Sequence, residues 1–536
     1  MLDLVQNLGG RVMGVLSGFD RLLFRGILRC VINPRGLNGY LYGAKVRMTD
    51  FDKHAQHVTA QVIEQSLQHA RDTGREVHYV NNSHVRKQQL ALDIAARDGI
   101  REGLVCVLKA VEPCVSFAVR RNRETKTISL ESRRRKCLHL YHYFLHPELG
   151  LMHVRLQTWF PFTLQICLNG REWLARSLDK AGIEYVRADN CICRVADLEA
   201  AQRLLDEQLR VNWPGLLNEL RRLAHPAHES VFANCPEHAR HYYWSLAESE
   251  WASDLLFHDP DDVLPLCERL VAYSMRVHGA GQVMRFLGRT VRRDGMPRST
   301  FQGEIHSHVR EFSQGLRIKH RLNANSVKMY NRPGVLRIET TINNPGEFKV
   351  WRTPEATPDA APDWLRLRKG VADLHRRAQV SQASNNRYAT AQAAGLQEGV
   401  RLKELAAALC SRVRRPGRAK PDGTRTRPRQ HRALNPFSPQ DITVLTAISR
   451  PEFGVSGLCN QDLRVVLHGA DPADPREKRR RSSRVSRQLS LLRAHGVLEK
   501  VSKSHRYRVT AKGQHALTAL LAAANATTSA LTQLAA

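Results

Sequence analysis

Residues 478–510, KRRRSSRVSRQLSLLRAHGVLEKVSKSHRYRVT, prescribe more about local shape than any other stretch of this 536-residue chain. Four basic residues, Lys478, Arg479, Arg480 and Arg481, lead into a helix. In that helix Val485, Leu489 and Leu492 recur at i, i+4 and i+7 and make one apolar stripe. Arg484, Arg487 and Gln488 lie off the stripe. His495-Gly496 closes the helix, since glycine accepts the left-handed conformation of a C-cap. Residues 497–501 and 506–510 then read as short strands, with Ser502-Lys503-Ser504-His505 as a basic turn between them.

The charge of the chain points the same way. Its 82 Lys and Arg outnumber its 51 Asp and Glu, for a net charge of +31. Such an excess favours polyanions. Residues 437–536 carry +8, residues 396–436 another +8, and the first 395 residues the remaining +15. No run of 18 apolar residues marks a membrane span, and the N-terminus lacks the pattern of a signal peptide. Nucleic acid is therefore the expected partner, in the cytoplasm and without a membrane. The 11 cysteines include no C-x-x-C pair, so neither a zinc finger nor a thioredoxin-type motif is supported.

The body reads as mixed α and β. In residues 17–26, Asp20, Leu22 and Phe24 are expected on one face of a strand. An acid among apolar neighbours there is a metal ligand, an ion-pair partner of Arg21 or Arg25, or a turn residue. Helix, strand, helix and a buried strand follow through residue 111, with Ser83 as a helix cap. Residues 112–168 read as a β-meander. Eight basic residues stand against two acids between Arg120 and Lys136. Nearby Phe117, Tyr141, Tyr143, Phe144, Trp159 and Phe160 either stack on single-stranded bases or fill the core. A turn at residues 147–150 would pair His142 with Arg155 and Phe144 with His153, putting His142, His153, Arg155 and Gln157 on one face. Residues 197–288 read as mainly helical, with Trp244, Trp251 and Leu255 as one packed stripe.

Residues 301–351 return to strands. Their alternation presents Lys328, Tyr330, Arg337 and Glu339 on one face, beside Arg317, Lys319 and Arg321. This Lys-x-Tyr and Leu-Arg-Ile-Glu stretch resembles strands of rolling-circle replication initiators and related nicking enzymes. The resemblance implies a tyrosine nucleophile and a metal held by carboxylates or histidines. Tyr330, Glu339, Lys328 and Arg337 are then the catalytic candidates, and Asp20, His142, His153 and Glu339 the candidate ligands of a divalent metal. The paired-histidine strand of those enzymes is absent: His139 and His142 have the wrong spacing, and His306-Ser-His308 lacks the apolar centre. The alternative is a charge ladder on a half-exposed sheet.

A helix is expected over residues 363–394, with Val371, Leu374, Ala378, Ser381, Asn385 and Tyr388 as a narrow seam that braces the body or pairs with a second copy. Residues 412–432, with nine Arg and Lys, read as a disordered basic linker. Residues 437–525 resemble winged helix-turn-helix domains of the multiple-antibiotic-resistance-regulator (MarR) kind. That resemblance implies a recognition helix at residues 482–495 reading bases with Arg484, Arg487 and Gln488. It implies a wing of Lys503, His505, Arg506 and Arg508, with Lys478 to Arg481 on phosphates, and a homodimer as one arrangement. The body is similar to a family of uncharacterised bacterial proteins, which implies no activity.

The expected fold is α+β and multidomain: a mixed α/β body with β-meanders and a helical insert, plus a C-terminal winged helix. Boundaries fall at residues 1–195, 196–300, 301–395, 396–436 and 437–536. The expected function is DNA binding, regulatory or mobile-element associated. The alternative is a nucleic-acid-processing enzyme (nicking enzyme, nuclease or transposase) with phosphoryl transfer in the body, and a third reading is binding to a structured RNA.

Overall fold

The computed structural model describes residues 1–82, 84–292, 297–312, 315–396, 407, 409–415, 427–435, 437–450, 453, 457–501 and 504–526. Two compact units result. One comprises residues 1–271, 286–288 and 304–391; the other comprises 272–285, 289–303 and the described part of 392–536.

The first unit is α+β, built on one mixed eleven-stranded sheet. Its strands are β1 (Val12–Leu28), β2 (Val77–Tyr79), β3 (Gly103–Arg121), β4 (Ile128–His146), β5 (Gly150–Gln157) and β6 (Leu164–Asn169). A separate hairpin, β7 (Tyr185–Ala188) and β8 (Cys191–Val195), follows. The sheet resumes with β9 (Tyr242–Phe257), β10 (Ile305–Phe312), β11 (Gly315–Leu322), β12 (Asn325–Arg332) and β13 (Val335–Ile342). The order is β10-β11-β12-β13-β9-β1-β6-β5-β4-β3-β2. Only the β2–β3 pairing is parallel.

This order repeats one topology twice. A long strand (β1 or β9) is followed by a helical crossover, then by a four-strand meander whose last strand (β6 or β13) returns to pair with the long strand. The two long strands pair antiparallel at the centre. Strands that the sequence divides among residues 1–195, 196–300 and 301–395 therefore share one sheet.

The helices Phe51–Asp72, Trp213–Ala224 and Leu374–Ala393 cover one face. Phe51, Val62, Trp213, Leu217 and Leu374 pack there with Phe19, Leu22, Phe24 and Trp251. On the other face the helices Gly170–Ala181 and Leu198–Asp206 pack through Leu174, Leu178 and Leu205 against Leu16 and Leu256.

Several expectations change. Residues 242–257 are a strand, not helix. Their composition favours helix, because no β-branched residue occurs among the sixteen. Pairing on both sides, to β1 and to β13, overrides that preference. Trp244 and Trp251 still join one core, because a register shift lies between them. Residues 363–366 are a strand, and the helix begins only at Leu374. Leu374, Ala378, Ser381, Asn385 and Tyr388 of the expected seam are buried. Arg377, also fully buried, donates to the Leu246 and Ile342 carbonyls.

In the second unit, helices Pro439–Ile448, Asn460–His468 and Pro475–Ala494 precede a short hairpin, Leu498–Lys500 with Tyr507–Val509, and a closing helix Ala511–Asn525. Leu445, Leu463, Val485, Leu489, Leu492, Val497 and Leu517 form its core. The third helix starts seven residues earlier than the apolar stripe indicates. Asp474 caps it, accepting from the Arg476 and Glu477 amides, and Pro475 occupies the first turn. The basic run thus lies within the helix. Of the expected linker, residues 413–415 pair with 429–431; residues 416–426 lie outside the described residues, as does Ser83.

Candidate functional site

A bulge sets the polar centre of the sheet. On β1 the register against β9 shifts between Phe19 and Arg21, so Phe19 and Leu22 both face the helix-covered core. The intervening Asp20 is turned to the opposite face, away from Leu22 and Phe24, contrary to strict alternation. There Arg337 of β13 reaches it, Nη1 donating to Asp20 Oδ1 at 2.8 Å. The same guanidinium donates from Nε and Nη2 to both oxygens of Asp254 on β9, at 2.6 and 2.9 Å.

Arg171 completes the group, with Nη2 2.9 Å from Asp254 and Nε 3.7 Å from Asp20. It is placed by the capped start of the helix after β6, where the Asn169 side chain accepts from the Arg171 amide at 2.9 Å. Gly170 lets that helix approach, because a Cβ there would lie 1.9 Å from the Phe19 carbonyl oxygen. Asp20 and Asp254 come from the two long strands, Arg171 from the helix that follows β6 and Arg337 from β13 itself. Asn190, between β7 and β8, donates to Asp20 at 2.9 Å.

A second group adjoins the first. Lys328 Nζ bridges Glu339 at 2.5 Å and Glu250 at 3.0 Å. The Tyr330 hydroxyl donates to Glu339 Oε2 at 2.7 Å. The sequence therefore groups Lys328, Tyr330, Arg337 and Glu339 correctly on one face. Asp20, Glu250 and Glu339 each offer a carboxylate oxygen within 4.8 Å of the others, with Lys328 and Arg337 seated on them.

Burial pushes the Asp20 carboxyl up, against the pull of Arg337. Burial and then the neighbouring Glu339 push Glu250 up to about 7. Against the cost of burial, Lys328 and Arg337 hold Glu339 below the usual carboxylate range. Four carboxyl groups thus face three cations, and the raised value of Glu250 lies near neutrality. Burial, then Glu339, pushes the Tyr330 phenol well above its ordinary value. That keeps its proton in place, the opposite of what an activated nucleophile needs.

The candidate histidines do not join this group. In the β4–β5 register His142 opposes Val154, and His153 opposes Tyr143. This is one residue away from the expected pairing, and one residue exchanges the faces. His142 is buried under the helices, its Nε2 3.1 Å from Ser66 Oγ. His153 packs between Tyr141 and Tyr143. Burial holds both imidazoles down to about 4, and hence neutral. Arg155 instead pairs with Glu112 at 2.7 Å.

Sequence reasoning missed Glu250, Asp254 and Arg171. The usable signal was the alternation Glu248, Glu250, Ala252, Asp254, hidden by the helical reading of β9.

On the helix Pro475–Ala494 the apolar stripe is buried, while Lys478, Arg479, Arg480, Arg484 and Arg487 are exposed. Lys478 pairs with Asp471 at 3.0 Å, and Arg480 and Arg481 with Glu477 at 3.5 and 3.2 Å. Among the described residues Arg479, Arg484 and Arg487 make no ion pair. Gln488 is half-buried and its Oε1 is shielded. In the hairpin, His505 and Arg506 are exposed, Arg506 lies 3.4 Å from Asp462, and Arg508 binds Glu499 at 2.6 Å. Lys503 lies outside the described residues. No helix among the described residues is long and apolar enough to cross a membrane. The chain matches no protein-family model, no curated protein and no solved structure.

Proposed function

We propose that this is a DNA-binding protein, regulatory or mobile-element associated, in which residues 437–525 act as a winged helix-turn-helix. The observation that carries the reading is the two-sidedness of the helix Pro475–Ala494. Val485, Leu489 and Leu492 anchor it in a core, and Arg479, Arg484 and Arg487 project from the other side without acidic partners among the described residues. A groove-reading helix needs rigid seating and free guanidinium groups for guanine edges and phosphates. The test is selection of duplex sites by the full chain, followed by binding of Arg484→Ala and Arg487→Ala. Each substitution is expected to weaken the selected site by about 1–3 kcal/mol and relax its sequence preference. Undiminished, equally selective binding by the double variant overturns the reading.

A second reading is favoured by the convergence of Asp20, Glu250 and Glu339. In it the body performs phosphoryl transfer on nucleic acid. The three carboxylates would hold a divalent cation in place of Lys328, and such a cation would lower the raised pKa of the Tyr330 phenol, or that of a bound water, for attack. Mg²⁺- or Mn²⁺-dependent nicking that disappears in Glu339→Gln and Tyr330→Phe supports it. Equal residual activity in the native and Tyr330→Phe chains removes the tyrosine step, and no cleavage with either metal removes the reading.

A further inference from the structure

Strands β3 and β4 outrun the sheet. The flanking β5 pairs with β4 only from His139 to His146, and β2 pairs with β3 only from Val107 to Lys109. Residues 111–121 and 128–138 therefore form a two-stranded ribbon of eleven residue pairs, tied at its base by Thr158 N donating to the Leu138 carbonyl at 3.2 Å. At about 3.3 Å per residue the ribbon runs roughly 36 Å.

Its inner side is anchored. Phe117 and Leu130 are buried in the main core, and Val119 and Leu138 pack against it. The exposed positions on both faces and the tip are basic: by the register Arg121, Arg134 and Lys136 share the face of Phe117 and Leu130, and Arg120 and Arg133 lie on the other. Arg120, Arg121, Arg123, Lys126, Arg133, Arg134 and Lys136 are all exposed. Arg120 pairs with Glu131 at 3.0 Å, and Arg135 lies 4.5 Å from the centre of the Trp159 ring. Among the described residues, Arg121, Arg123, Lys126, Arg133, Arg134 and Lys136 make no ion pair. A structural salt ladder would pair its charges, whereas here six cations along one anchored ribbon are left for an outside polyanion.

We propose that this ribbon is a second contact for duplex DNA, gripping the phosphate backbone independently of sequence. The proposal rests on the DNA-binding reading of the chain. The distribution of rings favours a duplex over a single strand: Phe117, Tyr141, Tyr143, Phe144 and Phe160 are buried, and Trp159 is occupied by Arg135. The ribbon therefore offers no platform on which unpaired bases could stack. An anchored two-stranded ribbon with cations on both faces and at its tip instead suits a groove walled by phosphates on either side.

The experiment measures binding of the full chain to a 30-base-pair duplex of arbitrary sequence against salt concentration. The Arg133→Ala/Arg134→Ala/Lys136→Ala variant is expected to bind all sequences more weakly by a similar factor. Its plot of log affinity against log salt should be shallower by about 0.9 per lost contact, hence by about 2–3. Arg133→Lys/Arg134→Lys, which keeps the charge, should keep the slope. The Arg484→Ala/Arg487→Ala variant should lose sequence preference yet retain the ribbon-dependent binding at low salt. An unchanged slope in the triple alanine variant overturns the ribbon contact while DNA binding by the chain stands. Absence of duplex binding by the native chain at any salt overturns both. Tighter ribbon-dependent binding to a single strand or to RNA than to duplex DNA overturns the choice of partner.

Discussion

Arg337 and Asp20 lie 317 residues apart in the chain and 2.8 Å apart in the fold. With Asp254 and Arg171 they tie both topological repeats to one buried point. The guanidinium of Arg337 is almost wholly enclosed, and so is Asp254. Removing one partner of such a group leaves an uncompensated charge, which costs far more than the pair itself contributes.

Arg337→Met is accordingly expected to destabilise the body by about 3–5 kcal/mol. Urea denaturation followed by near-ultraviolet circular dichroism checks this. Adding Asp254→Asn should recover part of the loss, because it removes one stranded carboxylate. No recovery would show that the cost comes from packing rather than from charge.

Glu250 has the opposite pH behaviour to that of an ordinary surface acid. Its carboxyl is raised from 4.5 to about 7, so between these values the unfolded chain has lost the proton while the folded chain keeps it. Stability from this group is full below pH 4.5 and falls as pH rises through 7. Glu250→Gln, fixed in the uncharged form, should therefore gain on the native chain across that window, by up to about 3 kcal/mol. A stability difference between the two chains that is constant from pH 4 to 8 would contradict the assignment.

Gly170→Ala tests the bulge. The added methyl would meet the Phe19 carbonyl oxygen, and backbone cannot yield as a side-chain tip can. The helix must shift, taking Arg171 from Asp20 and Asp254. The expected loss is about 2–4 kcal/mol, read as a lower urea midpoint, with a smaller effect in an Arg171→Met background because the two changes share a mechanism.

Asp474→Ala removes the side chain that accepts from Arg476 N at 2.9 Å. A loss of about 1 kcal/mol in thermal unfolding of the second unit is expected. Fraying of the first turn should also lower duplex affinity. Asp474→Ser should restore both quantities.

What could be read in advance follows from whether local or distant groups decide the conformation. The stripe of Val485, Leu489 and Leu492 and the alternation through Lys328, Tyr330, Arg337 and Glu339 are properties of single elements, and both are found. The pairing of His142 with Arg155 depended on one residue of register, and Val154 takes the place of Arg155. Asp20 stands out in the sequence, yet its direction is set by a bulge that no pattern in β1 announces. Glu250 and Asp254 escape the sequence pattern for a different reason. Their strand lacks β-branched residues, and what makes it a strand is the pair of neighbours at its sides, one more than 200 residues earlier and one about 85 later. The electrostatic grouping around Arg337 is a property of that pairing.

The place of β1 in the sheet also has a consequence during synthesis. Once β6 is made, β1 has one neighbour and one open side, and its second neighbour, β9, begins 73 residues later. At about 5–20 residues per second, a seventeen-residue strand edge stays open for roughly 4–15 s behind the ribosome. Asp20 waits longer still for the arginine of β13. Until then the nascent N-terminal half offers an unpaired β edge with a half-neutralised acid beside it, the kind of surface that invites another chain. Chaperone capture during translation, and misassembly when β9 is delayed by rare codons, should therefore concentrate on this first half.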